Sequence, residues 1–181
     1  MLTRSIQRGF TLIELVIAIV LTALLVTLAV PSFKIMLANA QIRTATQALY
    51  DGLQLARVEA IRRNERLLFT KGAGSDWTVT VEADPPLIPI PIVVQTRSSS
   101  EGTRQATVVV TPLGATQVTF DSLGRVVANT NGSATITTLD VDVPTSLIAA
   151  ADSKEQRVMI TLGGAVRTCD PNAAAGTGTA C

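Results

Sequence analysis

One carboxylate stands where a carboxylate is costly. The stretch from Phe10 to Val30 reads FTLIELVIAIVLTALLVTLAV, and Glu14 is its only charge. An acid at the centre of such a segment costs roughly 2.5–3.5 kcal/mol to insert into a bilayer. Nearer the start the cost is smaller, and two readings stand: a Glu that reaches the interface, or one held for a partner of opposite charge. Other residues able to do chemistry are few. The chain has no His, which excludes Ser-His-Asp and Cys-His catalysis and removes the commonest metal ligand. Its two Cys, Cys169 and Cys181, cannot complete a zinc site on their own. Asp140 and Asp142 are paired acids at the end of a strand-like run and read as solvated. There is no G-x-S-x-G and no phosphate-binding Gly-rich loop. The expectation is a chain that is not an enzyme, with no cofactor and no metal.

These residues must be held by a long helix. About 20 apolar residues wound as a helix span the hydrocarbon core of a bilayer. Arg4 and Arg8 precede the span, and positive charge keeps that end cytoplasmic. No small-residue cleavage site follows the apolar run, so it differs from an ordinary secretory signal. Residues 10–33 therefore read as a single-pass transmembrane anchor, with the C-terminal domain outside the cytoplasm. Beyond it, Ala38, Ile42, Ala45, Leu49, Leu53, Ala56 and Ala60 recur at helical spacing. Residues 34–64 thus read as an amphipathic continuation of the same helix. Pro31 removes one backbone donor and is expected to kink the helix without ending it. Arg62, Arg63 and Asn64 mark its end, giving a helix from about residue 11 to 64, roughly 80 Å long.

Residues 65–181 read as a β-rich domain that covers the helix stripe. Strand-like runs are Leu67 to Thr70, Trp77 to Glu82, Ile92 to Arg97, Thr107 to Thr111, Gln117 to Phe120, Ala134 to Asp140, Arg157 to Leu162 and Ala165 to Thr168. Asn129-Thr130-Asn131-Gly132 and Gly163-Gly164 read as turns, the latter as a two-residue hairpin. Pro85, Pro86, Pro89 and Pro91 predict an extended connector. One long helix followed by many strands predicts an α+β fold in a single domain. The composition agrees: with 47% hydrophobic but only 3% aromatic residues, the apolar content is Ala, Val, Leu and Ile, concentrated at the N-terminus. The balance of 15 Lys plus Arg against 14 Asp plus Glu argues against a generally basic nucleic-acid binder.

The segment Arg8-Gly9-Phe10-Thr11-Leu12-Ile13-Glu14 resembles the leader junction of type IV pilins and pseudopilins. The resemblance implies that residues 1–9 are a leader removed by prepilin peptidase between Gly9 and Phe10, with N-methylation of Phe10. It places Glu14 at the family's acidic position and Pro31 at its helix-kinking proline. Three further segments are similar to the GspH/FimT/FimU group. Ala56-Arg57-Val58-Glu59-Ala60 looks like its A-R-S-E-A helix end, with Val58 in place of Ser; Asp76-Trp77-Thr78-Val79 resembles an early strand; Phe120 to Arg125 resembles an F-x-x-x-G-R segment. The implied fold is the type IV pilin fold, a long N-terminal helix packed on an antiparallel β-rich domain.

The implied function is a minor pilin that joins a type IV pilus, at its tip, and helps prime assembly in support of twitching motility and adhesion. Expected partners are prepilin peptidase, other minor and major pilins, and the bacterial inner membrane, with the domain in the periplasm before assembly. In a filament, the amine of Phe10 in an adjacent subunit is the natural partner for Glu14. Two alternatives follow from the same resemblance. One is a GspH-like minor pseudopilin of a type II secretion system. The other is a FimT-like DNA receptor for natural transformation, for which the DNA-binding candidates here are Arg125, Lys154, Arg157 and Arg167. Asp152, Glu155 and Asp170 lie among them, and loss of Arg4 and Arg8 with the leader tips the charge balance toward acid. Export would place Cys169 and Cys181 in an oxidising compartment, where a bridge is favoured over two free thiols. The intervening Ala-, Gly- and Thr-rich tail cannot order itself by burial. A bridge would contribute about 3 kcal/mol on the loop-entropy estimate, and a C-terminal disulfide is also what the resemblance implies.

Overall fold

Thr11 opens the chain's one long helix. The computed structural model describes residues 10–83 and 90–181; the leader with Gly9, and Pro85, Pro86 and Pro89 of the connector, lie outside the described residues. The Thr11 hydroxyl accepts the Glu14 N–H at 3.3 Å, satisfying one of the free donors at the start of α1, Leu12–Arg63. The helix has 52 residues, so it is about 78 Å long. It runs through Pro31 even though Thr27 loses its usual backbone donor there. It ends where Asn64 adopts left-handed backbone (φ 56°), with Asn64 N–H on the Ile61 carbonyl and Glu65 N–H on the Ala60 carbonyl. Asn tolerates that conformation, and the two bonds satisfy carbonyls the helix leaves open.

The helix has two unlike halves. Among the described residues none before Ala38 is buried, whereas the stripe of Ala38, Ile42, Ala45, Leu49, Leu53, Ala56 and Ala60 is buried throughout. The small residues on this stripe let strands approach closely. At Gly52 a Cβ would lie 2.7 Å from the Trp77 ring and 2.9 Å from Phe69, so two of the few aromatics pack directly on the helix backbone. Their rings stack with centroids 6.0 Å apart. Trp77 Nε1 is the one buried side-chain polar atom without a partner among the described residues.

Two antiparallel sheets cover the stripe. The first has the order β3 (Ile92–Arg97), β2 (Trp77–Val81), β1 (Leu67–Lys71), β5 (Gln117–Phe120), β6 (Val126–Val127). The second has the order β4 (Thr107–Thr111), β7 (Thr138–Asp142), β8 (Gln156–Ile160), β9 (Val166–Cys169). The helix touches β1, β2 and β5 of the first and β7, β8 and β9 of the second. Buried and half-buried residues alternate along β2 and β7, as one-sided sheets require.

The strand register departs from the sequence expectation at one joint. The run from Ala134 was expected to be a strand as far as Asp140, but β7 starts at Thr138 and continues to Asp142. Residues 135–137 instead tie the two sheets together. Thr135 bridges Gln117 of the first sheet, while Thr137 N–H donates to the Thr111 carbonyl of the second at 2.8 Å. Ile136 between them is buried. The preceding turn is fixed by buried Asn129, which accepts from the Thr119 hydroxyl at 2.8 Å and donates to the Ser133 carbonyl at 3.1 Å.

Candidate assembly site

Glu14 lies in the first turn of α1, where the helix dipole favours an acid. Among the described residues, nothing in the globular domain covers this end. Phe10 is 86% exposed, and every residue from Phe10 to Lys34 is exposed. Glu14 makes no ion pair among the described residues. An apolar cylinder of this length is at home in lipid or against other helices, not in water, and by length and composition it can cross a membrane. The arrangement therefore offers one anionic acceptor, on an otherwise apolar rod, to a donor from another molecule.

The other end of the helix is held by a pair of matching turns. Asp121 to Arg125 joins β5 to β6, and Thr161 to Ala165 joins β8 to β9. Each closes with the same two bonds: Gly124 N–H to the Asp121 carbonyl and Asp121 N–H to the Arg125 carbonyl, Gly164 N–H to the Thr161 carbonyl and Thr161 N–H to the Ala165 carbonyl. The loop at Gly163-Gly164 thus has three residues where two were expected, with Gly164 at φ +79°. The turns pack glycine to glycine: a Cβ on Gly164 would fall 1.8 Å from the Gly124 carbonyl oxygen. Arg57 Nε donates to that same oxygen at 3.2 Å. The helix-end segment, the F-x-x-x-G-R segment and the last hairpin therefore meet at one point. Each sheet contributes one turn, and α1 supplies the cation between them.

Local ion pairs frame this junction. Glu59 accepts from Arg62 at 2.6 Å and from Arg63 at 2.7 Å. Hydrogen bonds from Arg62 and then Arg63 pull its carboxyl down to about 2. Both cations stand in the last helical turn, where the dipole favours them. Arg125 grips Asp121 through Nε at 2.9 Å and Nη2 at 2.8 Å. Burial pushes the Asp121 carboxyl up, but bonds from the Arg125 backbone and guanidinium and the Leu123 N–H hold it below its ordinary value.

The DNA-binding candidates are not brought together. Arg125 belongs to a turn of the first sheet and is engaged with Asp121. Arg157 and Arg167 share the outer face of the second sheet, but Asp140 stands opposite Arg157 and pairs with it, Nη2 to Oδ2 at 3.0 Å. Arg167 lies against Met159 Sδ at 3.4 Å. Lys154 sits apart, beside the helix at the domain's lower edge. Asp140 and Asp142, read from sequence as solvated, are instead engaged: Asp142 accepts from Val143 N–H at 2.7 Å and from the Ser153 hydroxyl. Cys169 and Cys181 are bonded, with Cα atoms 5.1 Å apart. The tail between them is pinned by Asp170 N–H on the Thr179 carbonyl at 2.7 Å.

Two anchoring contacts have little sequence signal. Buried Asn39 sits on the apolar stripe and holds Asp152 and Lys154 by their backbone. Gln41 and Gln105 bond reciprocally, at 3.2 Å side chain to side chain and 3.1 Å to the Gln105 N–H. A polar residue beside an apolar stripe was the only hint of either.

Residues 4–30 match the prokaryotic N-terminal methylation motif, and residues 45–164 match the family model described as type II transport protein GspH. The chain belongs to the GspH family. The match covers the helix end, the Asp121 to Arg125 turn, all of the second turn but Ala165, and every strand except β9. This family and its fold are those of pilin and pseudopilin subunits, of the type IV pilus or type II secretion kind. The crystal structure of the type IV minor pilin FimU of Pseudomonas aeruginosa (strain PAO1), in space group P21, aligns with a TM-score of 0.51 at 16% identity, over 76% of this chain and 95% of that one. It shares the fold: one long N-terminal helix on antiparallel sheets. A second crystal form of FimU, P65, aligns at a TM-score of 0.48 and 16% identity, over 75% of this chain and 98% of that one. No curated protein matches.

Proposed function

We propose that this GspH-family chain is a minor pilin of a type IV pilus. In this reading prepilin peptidase removes residues 1–9 between Gly9 and Phe10, and the new Phe10 amine is methylated. Residues 10–33 then hold the subunit in the inner membrane with residues 65–181 in the periplasm. On assembly the same helix joins the helices of other pilins, at the tip, where the subunit primes growth in support of twitching and adhesion.

One observation carries the reading. From Phe10 to Lys34 the helix is wholly exposed and bears a single acid within the apolar run. A carboxylate buried among neighbouring helices needs a hydrogen-bonded cation. The free amine that cleavage creates at Phe10 in an adjacent subunit supplies one. Such a pair sets axial register more than it adds stability, because desolvation offsets much of the attraction. Pro31 lies just before the point where the helix enters the domain, and the uncovered half on its N-terminal side is the part free to bend for packing.

Replacing Glu14 by Ala tests this. The variant is expected in the membrane at wild-type level but depleted from sheared filaments; unchanged incorporation would remove the register role. A GspH-like pseudopilin is the second reading, favoured by the description of the matching family. Deletion of the gene separates them: loss of pili and twitching supports the pilus, and loss of protein secretion with intact pili supports the secretion system.

A further inference from the structure

A sheet edge is a row of unpaired backbone groups, and folded chains blunt it with a charge, a bulge, a short strand or a cover. Each sheet has two edges, and three of these four are managed in that way. Strand β3 has a register shift opposite Val79 and Thr80 and carries Arg97. Strand β6 has only two residues, and its Val126 N–H bonds the Leu162 carbonyl. Strand β9 lies against α1, and the disulfide-closed tail folds back at its end, with Asp170 bridging Ala180.

Strand β4 has none of these protections. It reads Thr107-Val108-Val109-Val110-Thr111, uncharged and β-branched throughout. It pairs with β7 without a register shift, and among the described residues its other flank pairs with no strand. Thr107, Val109 and Thr111 are exposed on one face, Val109 to 59%. Val108 and Val110, on the other face, are half-buried at the rim of the core.

The order of these residues selects the partner. TVVVT reads the same in both directions about Val109. Antiparallel pairing with a second β4 sets Val109 against Val109, Val108 against Val110 and Thr107 against Thr111, each on its own face. Any shifted register leaves residues of the strand unmatched. The symmetry also fixes how the two copies stand. Their two-fold axis is normal to the joined sheet. Helix α1 packs on that sheet, so it lies along the plane of the sheet and the rotation reverses it. Two subunits anchored in one membrane, or running together in one filament, have parallel helices and cannot form this pair. Subunits on facing membranes, or on filaments that meet tip to tip, can.

We propose that β4 is a self-recognition edge through which copies of this chain on opposing surfaces pair antiparallel about Val109. The inference rests on the membrane anchor and tip position proposed above, and it names a partner for the adhesion. About 17 Å of strand makes a weak bond, smaller than a stable interface, so contact relies on several bonds between the same two surfaces.

The test uses the full chain in vesicles of phosphatidylethanolamine and phosphatidylglycerol. Vesicles bearing the wild-type chain should cluster with one another and not with protein-free vesicles. Val109→Lys sets like charges face to face on the axis and should weaken each bond by up to about fivefold; Val109→Thr keeps the branched side chain and should cluster as wild type. Under mild oxidation, Val109→Cys chains in clustered vesicles should link, since directly opposed Cα atoms lie about 4.5–5.5 Å apart. Two Thr107→Cys chains stand about 14 Å apart at that position and should link only to Thr111→Cys chains. Wild-type vesicles that stay dispersed would overturn the proposal, as would Val109→Lys vesicles that keep the wild-type melt and cluster unchanged. Equal binding to protein-free vesicles would assign the contact to lipid and overturn self-recognition. Thr107→Cys linking to itself as readily as Val109→Cys would show unregistered association and overturn the two-fold. Val109→Cys linking within dispersed vesicles would place the pair in one membrane and overturn the opposed arrangement. A chain that fails to float with the vesicles would overturn the anchor itself, a result distinct from floating without clustering.

Discussion

Replacing Gly164 by Ala should unfold the junction between the two sheets. Two costs add. Gly164 has φ +79°, and an L side chain in left-handed backbone costs about 1–2 kcal/mol. The new Cβ would also sit 1.8 Å from the Gly124 carbonyl oxygen, whereas real Cβ atoms essentially never come within 3.0 Å of another atom. The obstacle is backbone, so the turns must part by more than 1 Å. That movement breaks the Arg57–Gly124 bond and the Val126 N–H bond to the Leu162 carbonyl, each worth about 1 kcal/mol net. The expected loss is about 3–4 kcal/mol, or a melting temperature lower by about 6–16 °C for a domain of this size. Trp77 is the only Trp and is buried against α1, so its fluorescence reports unfolding of the core in the full chain in detergent. Two controls isolate the contact. Gly102→Ala carries only the backbone cost, since nothing lies within 4 Å of its Cβ position. Gly124→Ala meets the flexible end of Ile61 at 2.7 Å and should fall between them. If Gly164→Ala costs no more than Gly102→Ala, the two turns do not meet and the junction is wrong.

Three further outcomes follow from the same structure. Cys169→Ser with Cys181→Ser should lower stability by about 3 kcal/mol, measured by denaturant melts; the bond closes a sequence separation of 12 residues, and an unchanged midpoint would show a tail that contributes nothing. The Glu59 carboxyl is depressed from 4.5 to about 2 in the folded chain. Its contribution is therefore complete above the ordinary value and is lost as pH falls from about 4.5 toward 2. Glu59→Gln should remove that part of the acid sensitivity, with wild type and variant converging near the acid end of the window; parallel curves throughout would contradict it. A salt titration of duplex DNA binding should give no salt-dependent affinity, because Arg125 and Arg157 are committed to Asp121 and Asp140; a slope of several phosphate contacts would revive the DNA-receptor reading.

Much of the fold was legible because its signals are periodic. Each of the seven stripe positions from Ala38 to Ala60 is buried, and the caps at Thr11 and Asn64 are the residue types that helix ends favour. The division into two sheets was not legible. It depends on Thr135–Thr137, whose alternating residues look like a strand and whose hydrogen bonds go to both sheets in turn. Strand β6 has two residues, too few for any alternation. The junction was half visible: Gly163-Gly164 reads as a turn and Gly124 falls in the F-x-x-x-G-R segment, but their contact joins residues far apart in sequence and leaves no local pattern. Asn39 was hidden for the opposite reason, since a polar residue beside an apolar stripe ordinarily faces water. Charge partners also escaped the sequence, because Asp140 meets Arg157 only through strand register.

As a minor pilin the chain would leave the membrane as a processed subunit and enter a filament. Intact-mass analysis of sheared filaments tests it most directly. The expected result is a species that begins at Phe10, methylated at its amine and with the Cys169–Cys181 bond intact. Finding the chain only in the membrane fraction, still carrying residues 1–9, would contradict it.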